Sequence, residues 1–336
     1  MVSLKDVAGA CGVSVATVSK ALNGHSDVGA DTAKRIKETA KIMGYLPNTA
    51  ARALKTNKTN NLGVLFCDDA QSGLTHTYFS SVLEGFRKAA EDKDYDITFI
   101  SNNQTTHNLS YYERCRSRGV DGIVIACVSF DTPQIQEILN GNIPVVTIDR
   151  VFDTCTSIVS DNARGMHDLV EYAISMGHRK IAYVHGKPSA VTETRLESYY
   201  GCLKAHGIEA RAEYVVEGDY LDYKACYDRT IELLNLKDRP TCIIYPDDLA
   251  CIGGTNAIRS MGLSIPDDIS VMGYDGAQIG QVVSPRFTTL KQDTKLIGGT
   301  AADKLINIIE HPETEKVEQV VIEGQLLEGA SVKKLN

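Results

Sequence analysis

The feature that most constrains the fold is a repeated alternation, from residue 62 onward, of short apolar runs with amphipathic helical stretches. Each apolar run has the length of a buried strand, and the stretch that follows has helical periodicity. The predicted strands form two sets, at 62–66, 97–100, 122–126 and 145–148, and at 181–185, 214–217, 242–245 and 269–273. Repeated β–α units predict parallel sheets with helices on both faces. Two sets predict two lobes, because a chain of 336 residues is too long for one core.

Polar side chains follow many of these predicted strands. In doubly wound folds a ligand binds at the carboxyl ends of the strands, so these positions are the informative ones. They hold carboxylates, basic residues and an aromatic residue, namely Asp68, Asp69, Asp149, Arg150, Arg195, Tyr220, Asp247, Asp248 and Asp275. Such a set suits a polyhydroxylated ligand, since carboxylates accept from hydroxyls and a ring covers the apolar face of a sugar. Any single Asp there could equally be an N-cap or a turn former.

The charge of the chain is unevenly distributed. The net charge is −8, but residues 1–60 carry nine Lys and Arg against four Asp and Glu, a balance of +5. The other 276 residues hold 26 basic and 39 acidic side chains, a balance of −13. A basic first segment on an acidic body indicates that only the first segment binds a polyanion such as nucleic acid.

The basic segment has the periodicity of three short helices. The first is predicted to start at Leu4 and to end near Gly12, and the second follows Ser14, a good N-cap. The third is predicted over 32–43. With Val18 facing the core, the residues of the second helix that point outward are Ala16, Ser19, Lys20 and Asn23. A small, polar and basic outer face on the second of two closely spaced helices predicts a helix-turn-helix that enters the DNA major groove.

Several classes of protein find no support in the sequence. No stretch approaches the roughly 18 apolar residues of a membrane span, and the first residues lack the apolar core of a signal peptide, so we expect a cytoplasmic protein. The nine cysteines are scattered without a C-x-x-C pair, which predicts reduced thiols. No nucleophile elbow, P-loop or H-E-x-x-H motif occurs, and the eight histidines show no ligand-like spacing. We therefore expect no catalytic site, no cofactor and no metal.

Residues 4–8, 12–24 and 44–48 closely resemble the DNA-binding headpiece of the lactose-repressor and galactose-repressor family of bacterial transcription regulators. Residues 177–182 and 265–275 resemble the effector-binding core of that family, which is itself similar to periplasmic sugar-binding proteins. The resemblance covers nearly the whole chain. It implies a small all-α helix-turn-helix headpiece followed by a two-lobed α/β core of two parallel, doubly wound sheets.

The resemblance also implies a division of the chain. The expected segments are a DNA-binding domain at 1–46, a hinge helix or linker at 47–60, and an effector-binding and dimerisation core at 61–336. The first lobe would comprise about 61–161 and 292–319, and the second about 162–291 and 320–330, with crossings near 161, 291 and 320. Because the long leucine-rich tail of some tetrameric relatives is missing, a homodimer on a pseudo-palindromic operator is expected.

The expected DNA-binding residues lie at the second helix, in the turn after it, at the end of the DNA-binding domain and in the hinge. They are Ser14, Val15, Ala16, Thr17, Ser19, Lys20, Asn23, His25, Tyr45, Asn48, Arg52, Leu54 and Lys55. The hinge resembles the family's segment that orders when two copies pack in the minor groove, with Leu54 as the wedge at the central base step. A flexible linker is the alternative interpretation.

In the core, the resemblance implies that Asp149, Arg195, Tyr220 and Asp275 line the effector cleft, and Asp69, Tyr78 and Asp247 complete the predicted site. One departure is Pro246, which stands where many members carry Asn. The expected effector is a sugar or sugar derivative. A nucleoside or a protein corepressor remains open, as do an enzyme acting on sugars and a solute receptor.

Overall fold

The computed structural model describes residues 2–22, 24–25, 27–46, 58–67, 73–101 and 109–335. The chain separates into two compact units, residues 1–59 and residues 60–336, which we call the head and the core. Within the described residues, no helix combines the length and apolar character that crossing a membrane requires.

The head contains the three predicted helices, α1 (Leu4–Cys11), α2 (Val15–Leu22) and α3 (Ala30–Ile42). Helix α1 ends at Gly12, whose φ of 62° is a left-handed conformation that glycine adopts without steric cost. Helix α2 follows almost at once, as the sequence predicted. Helix α3 begins two residues before the expected start, because Gly29 rather than a polar side chain precedes its first turn.

The three helices enclose one small hydrophobic core. Val7 of α1, Val18 of α2 and Ile36 of α3 are fully buried there. Each comes from the predicted inward face, so the i, i+3, i+4 pattern of each helix directs the packing of the head. The opposite face of α2 is left exposed.

The core contains two six-stranded sheets. The first comprises β1 (Asn61–Phe66), β2 (Asp96–Phe99), β3 (Gly122–Ala126), β4 (Val145–Ile148), β5 (Thr156–Ser160) and β11 (Gln319–Ile322), in the order β11-β5-β4-β3-β1-β2. The second comprises β6 (Ile181–His185), β7 (Val215–Glu217), β8 (Cys242–Ile244), β9 (Ser270–Asp275), β10 (Thr288–Lys291) and β12 (Gln325–Leu327), in the order β12-β10-β9-β8-β6-β7. All neighbouring strands are parallel except β10 and β12. The prediction of two parallel, doubly wound sheets is confirmed.

Helices connect the strands and cover the sheets. They are α4 (Thr77–Glu91), α5 (Tyr111–Arg118), α6 (Pro133–Leu139), α7 (Asn162–Ser175), α8 (Ala190–Ala205), α9 (Tyr223–Leu234), α10 (Asp248–Ser260), α11 (Gln278–Val282) and α12 (Thr294–Glu310), with 3-10 turns at Gly73–Thr75 and Ala212–Tyr214. The apolar side chains of the strands and helices form separate hydrophobic clusters in each lobe.

The chain passes between the two sheets three times. The first passage follows β5 at Asp161 and the second follows β10 at Lys291, both where the sequence analysis expected them. The third, expected near Val320, follows β11: Val320 pairs with Ile158 in the first sheet, and the chain leaves that sheet after Ile322.

Candidate functional site

The outer face of α2 is open to solvent. Ser14, Val15, Ala16 and Lys20 are exposed, whereas Thr17 and Ser19 are half-buried on its flanks. The Thr17 amide donates to Ser14 Oγ at 3.1 Å, so Ser14 caps the helix and is held at the start of this face. Capping fixes the first turn of α2, which in a helix-turn-helix is the part that approaches base edges.

Lys20 and Asp27 form an ion pair across the turn that follows α2. Both side chains are about half exposed, at 52% and 54%, so the pair contributes little to stability. The Lys20 ammonium is therefore available to exchange this partner for a phosphate or a base edge at small cost.

The other expected DNA-binding residues divide into two groups. His25 is exposed in the turn, whereas Tyr45 is half-buried and packs against the hydrophobic core of the head. Tyr45 therefore supports the fold of the head as well as any DNA contact. The remaining predicted positions lie outside the described residues; these are Asn23, Asn48, Arg52, Leu54 and Lys55.

The core contains a cavity of about 600 Å³ between its two sheets. Tyr78 and Asp149 line it from the first lobe, and Tyr220, Asp247 and Asp275 line it from the second. Four of these five predicted residues are brought together because the carboxyl ends of both sets of parallel strands face this space, whereas Tyr78 comes from the first turn of α4. Asp69 lies outside the described residues, and Arg195 lies behind the wall rather than in the lining.

The backbone of the cavity wall is unusual. Six described non-glycine residues have positive φ, and four of them line the cavity: Cys127 (52°), Asp149 (65°), Leu221 (56°) and Asp275 (89°). Such conformations cost free energy and persist where the surrounding structure imposes them, commonly at ligand-binding sites. The strain marks this wall as a functional surface independently of its polar side chains.

The carboxyl of Asp149 lies against Tyr78. The Tyr78 hydroxyl donates to Asp149 Oδ2 at 3.2 Å, which links α4 to the end of β4. Burial raises the pKa of Asp149 to about 6, although the hydrogen bond from Tyr78 and the positive charge of Arg195 each lower it. Asp149 is therefore a buried carboxyl whose pKa lies closer to neutral pH than its ordinary value, as is common at functional sites.

Asp275 is held by Gln292. The Gln292 amide donates to Asp275 Oδ1 at 2.6 Å, and its own oxygen accepts from the Ser160 hydroxyl. Ser160 and Gln292 lie on two of the segments that pass between the lobes, so this chain of hydrogen bonds joins those segments to the cavity. Burial raises the pKa of Asp275 as well, partly offset by Arg195.

Asp247 has a structural role in addition to lining the cavity. Its Oδ1 accepts from the Ala250 amide, which caps α10, and its Oδ2 accepts from the Leu221 amide, each at 2.8 Å. Burial, followed by the nearby Asp275, raises the pKa of Asp247 to about 7. The alternative interpretation of an Asp at a strand end as an N-cap thus applies to this residue, which also faces the cavity.

Arg195 supports the second lobe from behind the cavity. It is only 3% exposed, and it donates to Asn162 Oδ1 at 2.8 Å and to the Pro246 carbonyl at 2.9 Å. Its guanidinium carbon lies 3.4 Å from the centre of the Tyr274 ring and 5.9 Å from that of Tyr220. One side chain thereby connects α7, α8, β9 and the segment before α10.

Tyr220 forms part of the aromatic wall. Its hydroxyl lies 2.9 Å from Thr192 Oγ1, and its ring lies directly on the backbone of Gly186. A Cβ at residue 186 would be 2.0 Å from the ring, so only glycine allows this position of the tyrosine. The ring face is available to cover an apolar surface of a ligand.

The lining also contains polar residues that were absent from the predicted set, and Lys187 and Gln292 are two of them. Lys187 lies two residues after β6, pairs with Asp219 at 2.7 Å and lines the cavity. Gln292 directly follows β10. The same strand-end rule would identify both, but β10 was not among the predicted strands and Lys187 was not considered at the end of β6. Arg150, which the sequence analysis named at the end of β4, also lines the cavity.

The chain matches two family models, each over one of the two units. Residues 3–48 match a model described as bacterial regulatory proteins, lacI family, and residues 59–329 match one described as periplasmic binding proteins and sugar binding domain of LacI family. The chain belongs to the lacI family of bacterial regulatory proteins. Its head is the family's DNA-binding domain, and its core is the ligand-binding domain.

Relatives of the lacI family match along the full chain. The probable HTH-type transcriptional repressor ExuR of Bacillus subtilis is 34% identical and is matched over 100% of this chain and 99% of the relative. Catabolite control protein A of Priestia megaterium is 28% identical over 89% of this chain and 90% of its own. The lac repressor dimer bound to operator and the anti-inducer ONPF superposes with a TM-score of 0.82, at 25% identity and with 99% of each chain covered. The lacI-family protein described here is thus a DNA-binding transcription regulator.

The raised pKa of Asp149 predicts pH-dependent stability of this lacI-family core. The carboxyl has a pKa of about 6 in the folded chain and 3.8 as its ordinary value. Between these values the folded chain holds a proton that the unfolded chain has lost, so this contribution to the free energy of unfolding falls as pH rises. The free energy of unfolding of Asp149→Asn should therefore rise by roughly 1–3 kcal/mol relative to that of the parent between pH 4 and pH 7. Urea titrations at each pH measure this difference.

Asp268 provides the control for this measurement. Hydrogen bonds from the Ser264 hydroxyl and amide lower the pKa of Asp268 below its ordinary value. The stability that the ionised Asp268 carboxyl contributes is therefore lost only as pH falls below about 4. The difference in free energy of unfolding between Asp268→Asn and the parent should stay constant from pH 5 to pH 7. A constant difference for Asp149→Asn as well would show that the Asp149 carboxyl is ionised throughout this range.

Proposed function

We propose that this protein represses transcription by binding a pseudo-palindromic operator as a homodimer, and that a sugar or sugar derivative in the core cavity controls the binding. The observation that carries the proposal is the convergence of carboxyls and a tyrosine ring from both lobes on one cavity, in a chain whose head is a helix-turn-helix. A ligand that contacts both lobes has a different affinity for their open and closed arrangements, which is what allosteric control requires.

The DNA-binding part of the proposal rests on the exposed face of α2. In our proposal Val15 and Ala16 contact bases through apolar groups, whereas Thr17, Ser19 and Lys20 reach base edges or phosphates. The solved relative is described as a dimer bound to operator, and a homodimer here would place two α2 helices on two half-sites. Operator binding would occur in the cytoplasm, where bacterial DNA lies.

The chemistry of the cavity supports a polyhydroxylated effector. The carboxyls of Asp149 and Asp275 offer acceptors for hydroxyl groups, and the ring of Tyr220 offers a flat apolar face. Arg150 and Lys187 add cationic groups on opposite lobes, so acidic as well as neutral sugars belong in the test. The Bacillus subtilis relative is described as a probable transcriptional repressor, which supports a regulatory role over a catalytic one.

A ligand screen tests this proposal. The full-length protein is heated in the presence of neutral sugars, sugar acids and nucleosides, and each compound that raises Tm is then tested for its effect on operator affinity. A ligand present at 100 times its Kd should stabilise the protein by about 2.7 kcal/mol. Nucleosides are the comparison group. If only nucleosides stabilised the protein, the effector would be a nucleoside and not a sugar.

Asp275→Asn is the variant that connects the screen to the cavity. We expect effector affinity to fall by about 10-fold to 100-fold, because a hydrogen bond to a charged acceptor is worth about 1.5–3 kcal/mol. Asn tolerates the positive φ at this position, and operator affinity without effector should stay within about twofold of the parent. Asp153→Asn, at an exposed carboxyl outside the lining, is the matched control. An effector that binds Asp275→Asn with parental affinity would place its site elsewhere.

A further inference from the structure

Two pairs of potential metal ligands face each other where α7 packs against α8. His167 and Glu171 are four residues apart on α7, and Cys202 and His206 are four residues apart at the end of α8. Residues four apart lie on the same face of a helix, one turn from each other. The two helices run in the same direction, because Asn162 meets Arg195 at their starts and Glu171 meets Cys202 at their ends.

The donor atoms lie at separations close to those of a metal site. Glu171 Oε1 lies 3.8 Å from His167 Nε2, 3.4 Å from Cys202 Sγ and 2.5 Å from His206 Nε2. The ligand atoms of His167, Glu171 and Cys202 all lie within 4.8 Å of one another. Bonds of about 2.0–2.3 Å in a tetrahedron separate the donor atoms by roughly 3.3–3.8 Å, so the first two distances need almost no change.

We propose that His167, Glu171, Cys202 and His206 form a binding site for a transition metal ion, with Zn²⁺ as the best match. One thiolate, two imidazoles and one carboxylate are the ligand types that zinc takes in a tetrahedral site. The imidazole of His206 is exposed and already contacts Glu171, and in our proposal a rotation of its side chain makes it the fourth ligand. On binding, the thiol of Cys202 would release its proton to solvent.

The group of four proposed ligands differs from an ordinary surface ion pair because it includes the buried sulfur of Cys202. Cys202 is 3% exposed, yet its Sγ lies 3.4 Å from Glu171 Oε1 and within 4.8 Å of a ring nitrogen of His167. Three of the four side chains have access to solvent, which gives an ion an entry path. From the sequence no metal was expected, because the eight histidines show no ligand-like spacing, and only the packing of α7 on α8 brings these four residues together.

A bound ion would join α7 to α8 about two turns beyond the contact between Asn162 and Arg195. These helices carry the wall of the second lobe, so the ion would stiffen that wall without entering the cavity. The site is separate from the cavity lining, and it is tested without any sugar or DNA. Its failure would therefore leave the proposed function untouched.

The test measures zinc and cobalt binding by the full-length, reduced protein. We expect one zinc ion per chain that is lost in Cys202→Ser, and a Co²⁺ complex whose visible and thiolate charge-transfer absorption is also lost in that variant. His167→Gln, at an exposed position, should weaken zinc binding at least tenfold while preserving the fold. Circular dichroism and thermal unfolding of each metal-free variant verify that preservation.

The matched controls are Cys67→Ser and His311→Gln, which remove an exposed thiol and an exposed imidazole elsewhere in the core. Both should retain the zinc stoichiometry and the cobalt spectrum of the parent. The proposal is overturned if the parent retains no zinc, or if Cys202→Ser and His167→Gln bind zinc with parental stoichiometry and affinity.

Discussion

An Arg195→Ala variant is expected to lose about 3–5 kcal/mol of unfolding free energy, the largest loss that we expect from truncating a single polar side chain of the core. The guanidinium donates to Asn162 and to the Pro246 carbonyl, and it lies on the ring of Tyr274. Its removal leaves these groups without a partner at a buried site, and it removes the positive charge that lowers the pKa of Asp149. Urea denaturation followed by circular dichroism measures the loss.

Arg229→Ala is the matched control for this truncation. Arg229 pairs with Glu232 on the exposed face of α9, and such a pair is worth about 0.5 kcal/mol or less. Arg195→Lys keeps the charge but lacks the planar fork that reaches two acceptors at once, so it should recover less than half of the loss. Equal stability of Arg195→Ala and the parent would mean that the second lobe does not depend on this residue.

A Lys20→Glu variant is expected to bind operator at least about 100-fold more weakly than the parent. Each copy of the head would lose one cationic contact and gain repulsion from the phosphates. In a dimer this loss of binding free energy occurs at both half-sites. A loss of about 2.7 kcal/mol in total corresponds to that factor. Fluorescence anisotropy with labelled operator at several salt concentrations measures it, and the salt dependence should become shallower.

Lys316→Glu makes the same change in net charge at an exposed position of the core. Its operator affinity should stay within about twofold of the parent, which separates a local contact from the effect of overall charge. The fold of the head should survive Lys20→Glu, because Lys20 is half exposed and its pair with Asp27 is weak. If both variants bound operator equally well, α2 would not be the recognition helix.

The strands that the sequence predicted best are those whose side chains are mostly apolar. The predicted bounds of β3, β4 and β6 coincide with the observed ones, and all their interior residues are buried. Four further strands were not predicted. β5 and β10 bury hydroxyl side chains, such as Ser157 bonded to Thr147 and Thr288 packed against the end of the chain, while β11 and β12 are partly exposed. Buried hydrogen-bonded hydroxyls do not resemble an apolar run.

The site was predictable to the extent that it depends on strand ends. Asp149, Tyr220 and Asp275 were expected in the cleft and line the cavity, because the end of a buried strand can be read from its apolar pattern. Gln292 was not expected, because the hydroxyl-rich strand β10 that precedes it was not predicted, and its bond to Asp275 spans 17 residues of sequence. Arg195 was expected in the lining, and its place behind the wall depends on partners in three other elements.

The sequence by itself determined the two units, the helix-turn-helix and the two sets of parallel strands, because periodicity and capping are local properties of the chain. Only the tertiary structure decided which side chains share a space. The pairing of Asp149 with Tyr78, the support of the second lobe by Arg195 and the juxtaposition of Glu171 with Cys202 all join residues far apart in sequence. Such contacts depend on how helices pack on a completed sheet, and local periodicity carries no information about that packing.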